Sequence, residues 1–141
     1  MKKAIAIILA TLLAIAGLST ALAETASIPQ TVPATSINDF VGNWEIAGVV
    51  QDGNYYTMAM WKVLTGNSPS MNIDITANSF AIYSGTQRAT ATISMNSDDG
   101  SLSVKDSSGE GKIQLLEDGT IVFWFNANSG TSYGVVFSKA E

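Results

Sequence analysis

Residues 87–95 read QRATATISM, and this stretch decides the fold class. Its apolar members, Ala89, Ala91, Ile93 and Met95, alternate with polar residues, the period-two pattern of a β-strand with one buried face. Outward from it in both directions, similar short runs are separated by turn residues, which predicts eight strands. These strands are 41–50, 71–76, 79–84, 87–95, 101–105, 112–117, 120–126 and 133–139.

Most connections between the predicted strands are short. Asp118-Gly119 and Asp98-Asp99-Gly100 supply residues that tolerate the positive φ of tight hairpin turns, which indicates antiparallel neighbours. A meander of eight strands hides its two edges by closing into a barrel or by splitting into a sandwich. The hairpin-by-hairpin order favours closure. We therefore expect an all-β, eight-stranded antiparallel up-and-down barrel.

One connection, Gln51 to Ser70, is far longer than a hairpin loop. It contains YYTMAMWKVL at residues 55–64, long enough for a helix of roughly two or three turns, although Tyr, Thr, Trp and Val would also suit a strand. We expect a helical lid here, between strands 1 and 2. Ser36 is expected to cap a short N-terminal helical turn through residues 37–40.

The N-terminus has the three parts of a bacterial-type secretory signal peptide. Met1-Lys2-Lys3 is basic, Ala4 to Leu18 is apolar, and Ala21-Leu22-Ala23 is a small-x-small cleavage site. The predicted organisation is a signal peptide at 1–23, a flexible leader at 24–36 that carries Pro29 and Pro33, and a barrel domain at 37–141. We expect a protein secreted from the cell, or a periplasmic one if the host has an outer membrane.

An uncleaved membrane anchor is the alternative interpretation of the N-terminus, because the apolar segment is nearly long enough to cross ~30 Å of hydrocarbon. The cleavage site and the polar residues after it favour removal, so no stable anchor is expected. Loss of Lys2 and Lys3 with the signal peptide takes the net charge from −5 to −7. Such a chain repels nucleic acid phosphates, and nucleic acid is therefore not an expected partner.

The chain contains no histidine and no cysteine. Their absence excludes a His-based catalytic triad and a thiol nucleophile, and it removes the commonest ligands of zinc, copper and haem. Glu45 and Asp74 are predicted to face away from the apolar side of their strands. We therefore interpret them as solvated carboxylates rather than as an acid–base pair. We expect no catalytic residues, no metal site and no cofactor.

Phe40-Val41-Gly42-Asn43-Trp44 precedes the first predicted strand and resembles the F-x-G-x-W motif of the calycin superfamily, which includes the lipocalins. The chain is most similar to small exported lipocalin-like domains of bacteria, although a lipocalin-type disulfide is impossible without cysteine. The resemblance implies that Trp44 seals the closed end of a barrel. Closure would pair the last strand with the first, so that Lys139 lies over the Trp44 ring or, alternatively, extends into solvent.

The lengths of the loops predict a barrel that is open at one end. Gln51 to Ser70, Gly85-Thr86, Asp106 to Gly111 and Ala127 to Ser132 would meet at the open end, and three of these four are long. With the resemblance, this predicts a non-catalytic carrier of a small hydrophobic molecule. The alternative is a barrel filled by its own side chains, serving as a protein interaction or inhibitor module. Candidate ligand contacts are Tyr55, Tyr56, Met58, Trp61, Val50, Phe125 and Tyr133.

Overall fold

The computed structural model describes Ile5 and residues 29–51, 54–66, 70–127 and 132–140. Within these ranges the chain forms ten strands, a 3-10 helix at Ile37–Asp39 and an α-helix, α1, at Met58–Thr65. The strands are β1 (Thr31–Val32), β2 (Gly42–Gln51), β3 (Asn54–Thr57), β4 (Asn72–Ile75), β5 (Phe80–Ser84), β6 (Gln87–Asn96), β7 (Ser101–Asp106), β8 (Gly109–Leu116), β9 (Ile121–Ala127) and β10 (Ser132–Lys139).

Eight of these strands form a closed antiparallel barrel. From β4 to β10 each strand pairs with the next along the chain, and β2 pairs with β4 on one edge and with β10 on the other. Short links between consecutive strands make neighbours antiparallel, and closure pairs the first barrel strand with the last. The predicted barrel is confirmed, and the sandwich alternative is excluded.

Seven of the eight predicted strands agree with the structure to within one residue at each end, and β8 does not. β8 begins at Gly109, so the loop expected from Asp106 to Gly111 is only a two-residue turn. The cause is local: the Asp106 carboxylate accepts hydrogen bonds from the amide of Ser108 at 2.8 Å and from its hydroxyl at 2.6 Å, which closes the turn. The expectation of a long connection there is wrong.

The lid connection contains the helix predicted for it, and β3 precedes that helix. Thr57 caps α1 by accepting a hydrogen bond from the amide of Met60 at 3.2 Å, and Gly66 ends it in the left-handed conformation at φ 75°. β3 pairs with the last residues of β2. The insertion therefore lies at the end of the barrel where β2 finishes, here called the open end.

The first residues of the barrel domain also match the sequence prediction. Ser36 caps the 3-10 helix, its hydroxyl accepting from the amide of Asn38 at 3.2 Å. The end of the predicted flexible leader is part of the fold, however. β1 pairs with Leu115 and Leu116 of β8, because β8 extends past the end of β7 and leaves a short free edge.

Apolar side chains occupy both faces of part of the barrel wall. The interior cluster, which includes Trp44, Ile73, Phe123 and Phe137, lies inside the barrel. A smaller outer cluster covers the outside of β2, β8, β9 and β10; its members are Val50, Leu116, Val122 and Val136, with Ala47, Tyr55 and Trp124 packed against them. Within the part of the chain that the structure describes, no helix is long and apolar enough to cross a membrane.

Candidate functional site

Trp44 seals the end of the barrel opposite α1, here called the closed end. Its indole is 2% exposed, and its Nε1 donates a hydrogen bond to the carbonyl of Phe40 at 2.9 Å. The Lys139 ammonium lies 4.8 Å from the centroid of the Trp44 ring and donates to the carbonyl of Val41 at 2.8 Å. The predicted contact between Lys139 and Trp44 is confirmed, and the lysine side chain stays exposed to solvent while it makes this contact.

Gly42 explains why the motif carries a glycine two residues before the tryptophan. Its φ is 145°, which side chains rarely allow, and a Cβ there would lie 2.7 Å from the end of the Lys139 side chain. The glycine therefore leaves the space through which Lys139 reaches the Trp44 ring. At this end the buried indole N–H and the lysine ammonium both have partners within the barrel.

At the open end, two aromatic residues from the lid connection lie inside the barrel. Tyr56 is 1% exposed and Trp61 is 3% exposed, and their ring centroids are 6.0 Å apart. Tyr56 lies opposite Val49 in the pairing of β3 with β2, on the inward side of the wall. Its hydroxyl is buried without a hydrogen-bond partner among the described residues. A buried hydroxyl without a partner costs free energy, so the Tyr56 hydroxyl is a candidate polar contact for a ligand.

Asp106 is a second polar group at the open end. It shares the inward parity of Leu102 and Val104, both fully buried, and it is the last residue of β7. One carboxylate oxygen, Oδ1, closes the turn to β8. The other, Oδ2, accepts a hydrogen bond from the backbone amide of Ile5 at 3.1 Å. Asp106 falls in a loop in the sequence prediction and is not among the predicted contacts, although the alternation of Leu102 and Val104 extends to it.

Ile5 occupies a position in the interior cluster. Its side chain is fully buried and belongs to the cluster that includes Tyr56, Trp61 and Phe125. Together with the hydrogen bond to Asp106, this places an aliphatic group and a peptide N–H at the open end. Ile5 is the only described residue of the predicted signal peptide; the rest of that segment and residues 24–28 lie outside the described ranges.

The structure brings four of the seven predicted ligand contacts together. Tyr56, Trp61 and Phe125 belong to the interior cluster, and Met58 packs against it. Phe125 packs beside Phe123, with the two ring centroids 5.7 Å apart, and Phe123 in turn packs beside Phe80. Tyr133 lies opposite Phe125 in the pairing of β10 with β9, and its side chain is outside the described part of the structure.

Val50 and Tyr55 lie on the outer face, and the expectation that Val50 points inward is wrong. Ala47 is an extra residue in β2, because β10 pairs Phe137 with Ile46 but Val136 with Gly48. Such a bulge shifts the alternation by one residue, so Val49 faces in and Val50 faces out. Burial in the outer cluster, reinforced by the negative charge of Asp118, raises the pKa of Tyr55, which keeps its hydroxyl neutral.

The open end therefore combines apolar walls with two polar groups on different sides of the barrel, the Tyr56 hydroxyl and the Asp106 carboxylate. Among the described residues no group of three acidic, histidine or cysteine side chains is placed to hold a metal ion. An apolar wall with one or two polar groups is the composition typical of small-molecule sites.

No known protein family matches the chain, and a search of the curated proteins finds no match. Among the solved structures, the crystal structure of a mutant of the fluorescent protein UnaG matches at 15% sequence identity and a TM-score of 0.36, covering 74% of this chain and 99% of that one. A likeness this distant carries no argument about the site. The strand pairing itself establishes the closed barrel, and Trp44 lies at one end of it.

Proposed function

We propose that this chain is an exported, non-catalytic binding protein whose barrel holds a small hydrophobic molecule at its open end. The observation that supports the proposal best is the buried Ile5 side chain. Ile5 belongs to the predicted signal peptide, so cleavage after Ala23 removes it from the barrel. The position in the interior cluster that Ile5 fills is then available to another apolar group, and Ile5 stands in for part of a ligand in the uncleaved chain.

Asp106 and Tyr56 define the polar part of such a ligand. Oδ2 of Asp106 accepts a hydrogen bond from Ile5 and would need a new donor once the signal peptide is gone. The Tyr56 hydroxyl can donate or accept. A ligand carboxylate would meet the negative charge of Asp106, and the cleaved chain carries a net charge of −7. The ligand is therefore an apolar molecule with an N–H or O–H donor, such as a long-chain amide, alcohol or amine.

A binding role is also what the composition supports. With no histidine and no cysteine, the chain lacks the side chains most often used as proton shuttles near neutral pH and as thiol nucleophiles. The described open end offers one carboxylate and one phenol at different points of an apolar wall. Such groups suit recognition, which needs one or two well-placed hydrogen bonds, better than a reaction that needs an acid and a base in contact.

Native mass spectrometry of the protein purified from its own host tests the ligand. We expect a start at Glu24 and a bound small molecule that is released on denaturation. Protein that retains residues 1–23 would contradict the export proposal. Protein that starts at Glu24 and is consistently empty would contradict the carrier proposal and favour the protein interaction module with a filled barrel, which the near-complete burial of Tyr56 and Trp61 also suits.

A second experiment tests the exchange of Ile5 for a ligand. The uncharged dye Nile red is titrated into the full chain and into residues 24–141, and its fluorescence reports apolar binding. We expect tighter binding by the shorter chain. As a matched control, Ile5→Asp in the full chain replaces the buried side chain with a charged one and should recover part of the binding. Equal binding by all three would show that Ile5 does not occupy the ligand position.

A further inference from the structure

The outside of the barrel carries a separate groove of about 750 Å³ across β6, β7, β8 and β9. Nine of its lining residues alternate with members of the interior cluster, so their side chains face outward. These nine are Thr92, Ser94, Ser103, Lys105, Glu110, Lys112, Gln114, Trp124 and Asn126. The groove lies on the opposite face of the wall from the ligand position proposed above, and it has no part in that function.

Trp124 forms a flat aromatic platform along one side of the groove. Its Nε1 donates a hydrogen bond to Oε1 of Gln114 on β8 at 3.0 Å. The opposite edge of the indole reaches β10, where a Cβ on Gly134 would lie 2.6 Å from the ring. The indole therefore spans three strands with one face against the sheet, and the absence of a side chain at Gly134 lets it lie flat. Because Trp124 lines the groove, part of its surface is available to a ligand.

The rest of the lining is polar and electrically balanced. Lys105 and Glu110 lie directly opposite each other in the pairing of β7 with β8, so one charge offsets the other. Lys112 forms an ion pair with Asp99, with Nζ 2.9 Å from Oδ2. Hydroxyl and amide groups supply most of the remaining surface. A neutral ligand with many hydroxyl groups suits such a lining, whereas a strongly charged polymer or a lipid chain does not.

We propose that this groove binds a neutral oligosaccharide. A pyranose ring has one face made of C–H groups, which packs on an indole, and a rim of hydroxyls that donate and accept hydrogen bonds. Trp124 provides the platform. Gln114, whose Oε1 is held by the indole N–H, keeps its amide group beside the ring, with Glu110 and Ser103 further along the floor. The class of ligand follows from this combination of a flat aromatic surface with a polar lining whose charges are balanced.

NMR titration of the full chain tests the proposal. The protein is labelled with ¹⁵N, and the Trp124 indole N–H resonance, assigned through the spectrum of Trp124→Phe, is followed as cellopentaose or chitopentaose is added. We expect saturable shifts of that resonance with at least one of the two sugars. The affinity should fall about tenfold in Trp124→Ala, a loss typical of one aromatic contact. Because that variant lacks the indole, its affinity is measured from the backbone amide resonances of Ser103 and Gln114, which also line the groove.

The matched control is Tyr83→Ala, which removes another surface aromatic, one that contacts Arg88 on β6 outside the groove. Its affinity should equal that of the unaltered protein. Gln114→Ala keeps the platform and should weaken binding without loss of fold, as checked by circular dichroism. No saturable shift with either sugar, equal affinity in Trp124→Ala, or shifts produced only by an unrelated pentapeptide would overturn the proposal.

Discussion

An aspartate closes a tight turn at each end of β7, and the two aspartates differ in the partner of their second carboxylate oxygen. Asp99 precedes β7 at the closed end, and its Oδ1 accepts hydrogen bonds from the amide and hydroxyl of Ser101. Asp106 ends β7 at the open end, and its Oδ1 accepts the same pair of bonds from Ser108. The second oxygen of Asp99 binds Lys112 of the barrel, whereas the second oxygen of Asp106 binds Ile5 of the predicted signal peptide.

In the proposed function, this difference separates a structural end of the barrel from a binding end. At the closed end the spare carboxylate oxygen, the Trp44 indole and the Lys139 ammonium all have partners within the barrel. At the open end one polar group depends on a residue that cleavage would remove, and the Tyr56 hydroxyl has no described partner. Polar groups that the fold does not satisfy are those a ligand can bind.

The largest expected effect is at the closed end. Trp44→Ala removes a fully enclosed indole together with its hydrogen bond to Phe40, and truncations of this kind lower the free energy of unfolding by about 3–5 kcal/mol. Urea denaturation of residues 24–141 measures it. Val63→Ala, at a residue that is 86% exposed on α1, should change the free energy by less than about 0.5 kcal/mol. A loss for Trp44→Ala as small as that of the control would contradict a sealing role.

Tyr56→Phe tests the open end by the same urea denaturation. Unlike Trp44→Ala, it should not lower the free energy of unfolding. It removes a buried hydroxyl without a described partner, so the empty protein should be unchanged or more stable by up to about 1 kcal/mol. Trp44→Phe at the closed end removes a polar group whose partner is known, and it should be destabilising. If Tyr56→Phe is instead clearly destabilising, the hydroxyl has a structural partner and is not open to a ligand.

Lys139→Met should have a smaller effect. The substitution keeps most of the side-chain length but removes the charge above the Trp44 ring and the hydrogen bond to Val41. The cation–π contact is worth about 0.5–1 kcal/mol at an exposed position. In the Trp44→Phe background, Lys139→Met should lower the free energy of unfolding by less, because the aromatic partner of the lysine is then smaller. A full loss in that background would assign the effect to the hydrogen bond alone.

The smallest effect is on the acid stability of the closed-end turn. Hydrogen bonds from Ser101, and then from Lys112, lower the pKa of Asp99 from 3.8 to about 2. Because the pKa is lowered in the folded state, the stabilisation is present above pH 3.8 and is lost as the pH falls towards 2. The midpoint of thermal unfolding should therefore fall less steeply between pH 4 and pH 2 in Asp99→Asn than in the unaltered protein. Equal slopes of the unfolding midpoint against pH in the two proteins would contradict the lowered pKa of Asp99.

Much of this organisation could be predicted from the sequence because it depends on local patterns. Alternation and turn residues located the eight barrel strands, and the motif at Trp44 combined with closure placed Lys139 over the ring. The direction of Val50 could not be predicted, since the bulge at Ala47 arises from the pairing of β2 with β10 and leaves no periodic signal. Asp106 could not be assigned to a strand from the sequence, because Ser107-Ser108 has the composition of a loop. Only the hydrogen bonds from Ser108 to the Asp106 carboxylate show that these two residues form a tight turn.

In the proposed function, Asp106 is an open hydrogen-bond acceptor at the binding end, and the affinities of residues 24–141 for oleamide and oleate test this most directly. The two ligands share a chain and differ in whether the head group donates a hydrogen bond or carries a negative charge. Asp106→Asn keeps the side-chain oxygen that closes the turn and replaces the spare acceptor with an amide donor. Asp99→Asn makes the same change at the closed end and is the control.

We expect the unaltered protein and Asp99→Asn to bind oleamide at least about tenfold more tightly than oleate, the effect of one hydrogen bond to a charged group. Asp106→Asn should lose this preference or reverse it. Equal dissociation constants for the two ligands, or a preference that Asp106→Asn leaves unchanged, would contradict the account.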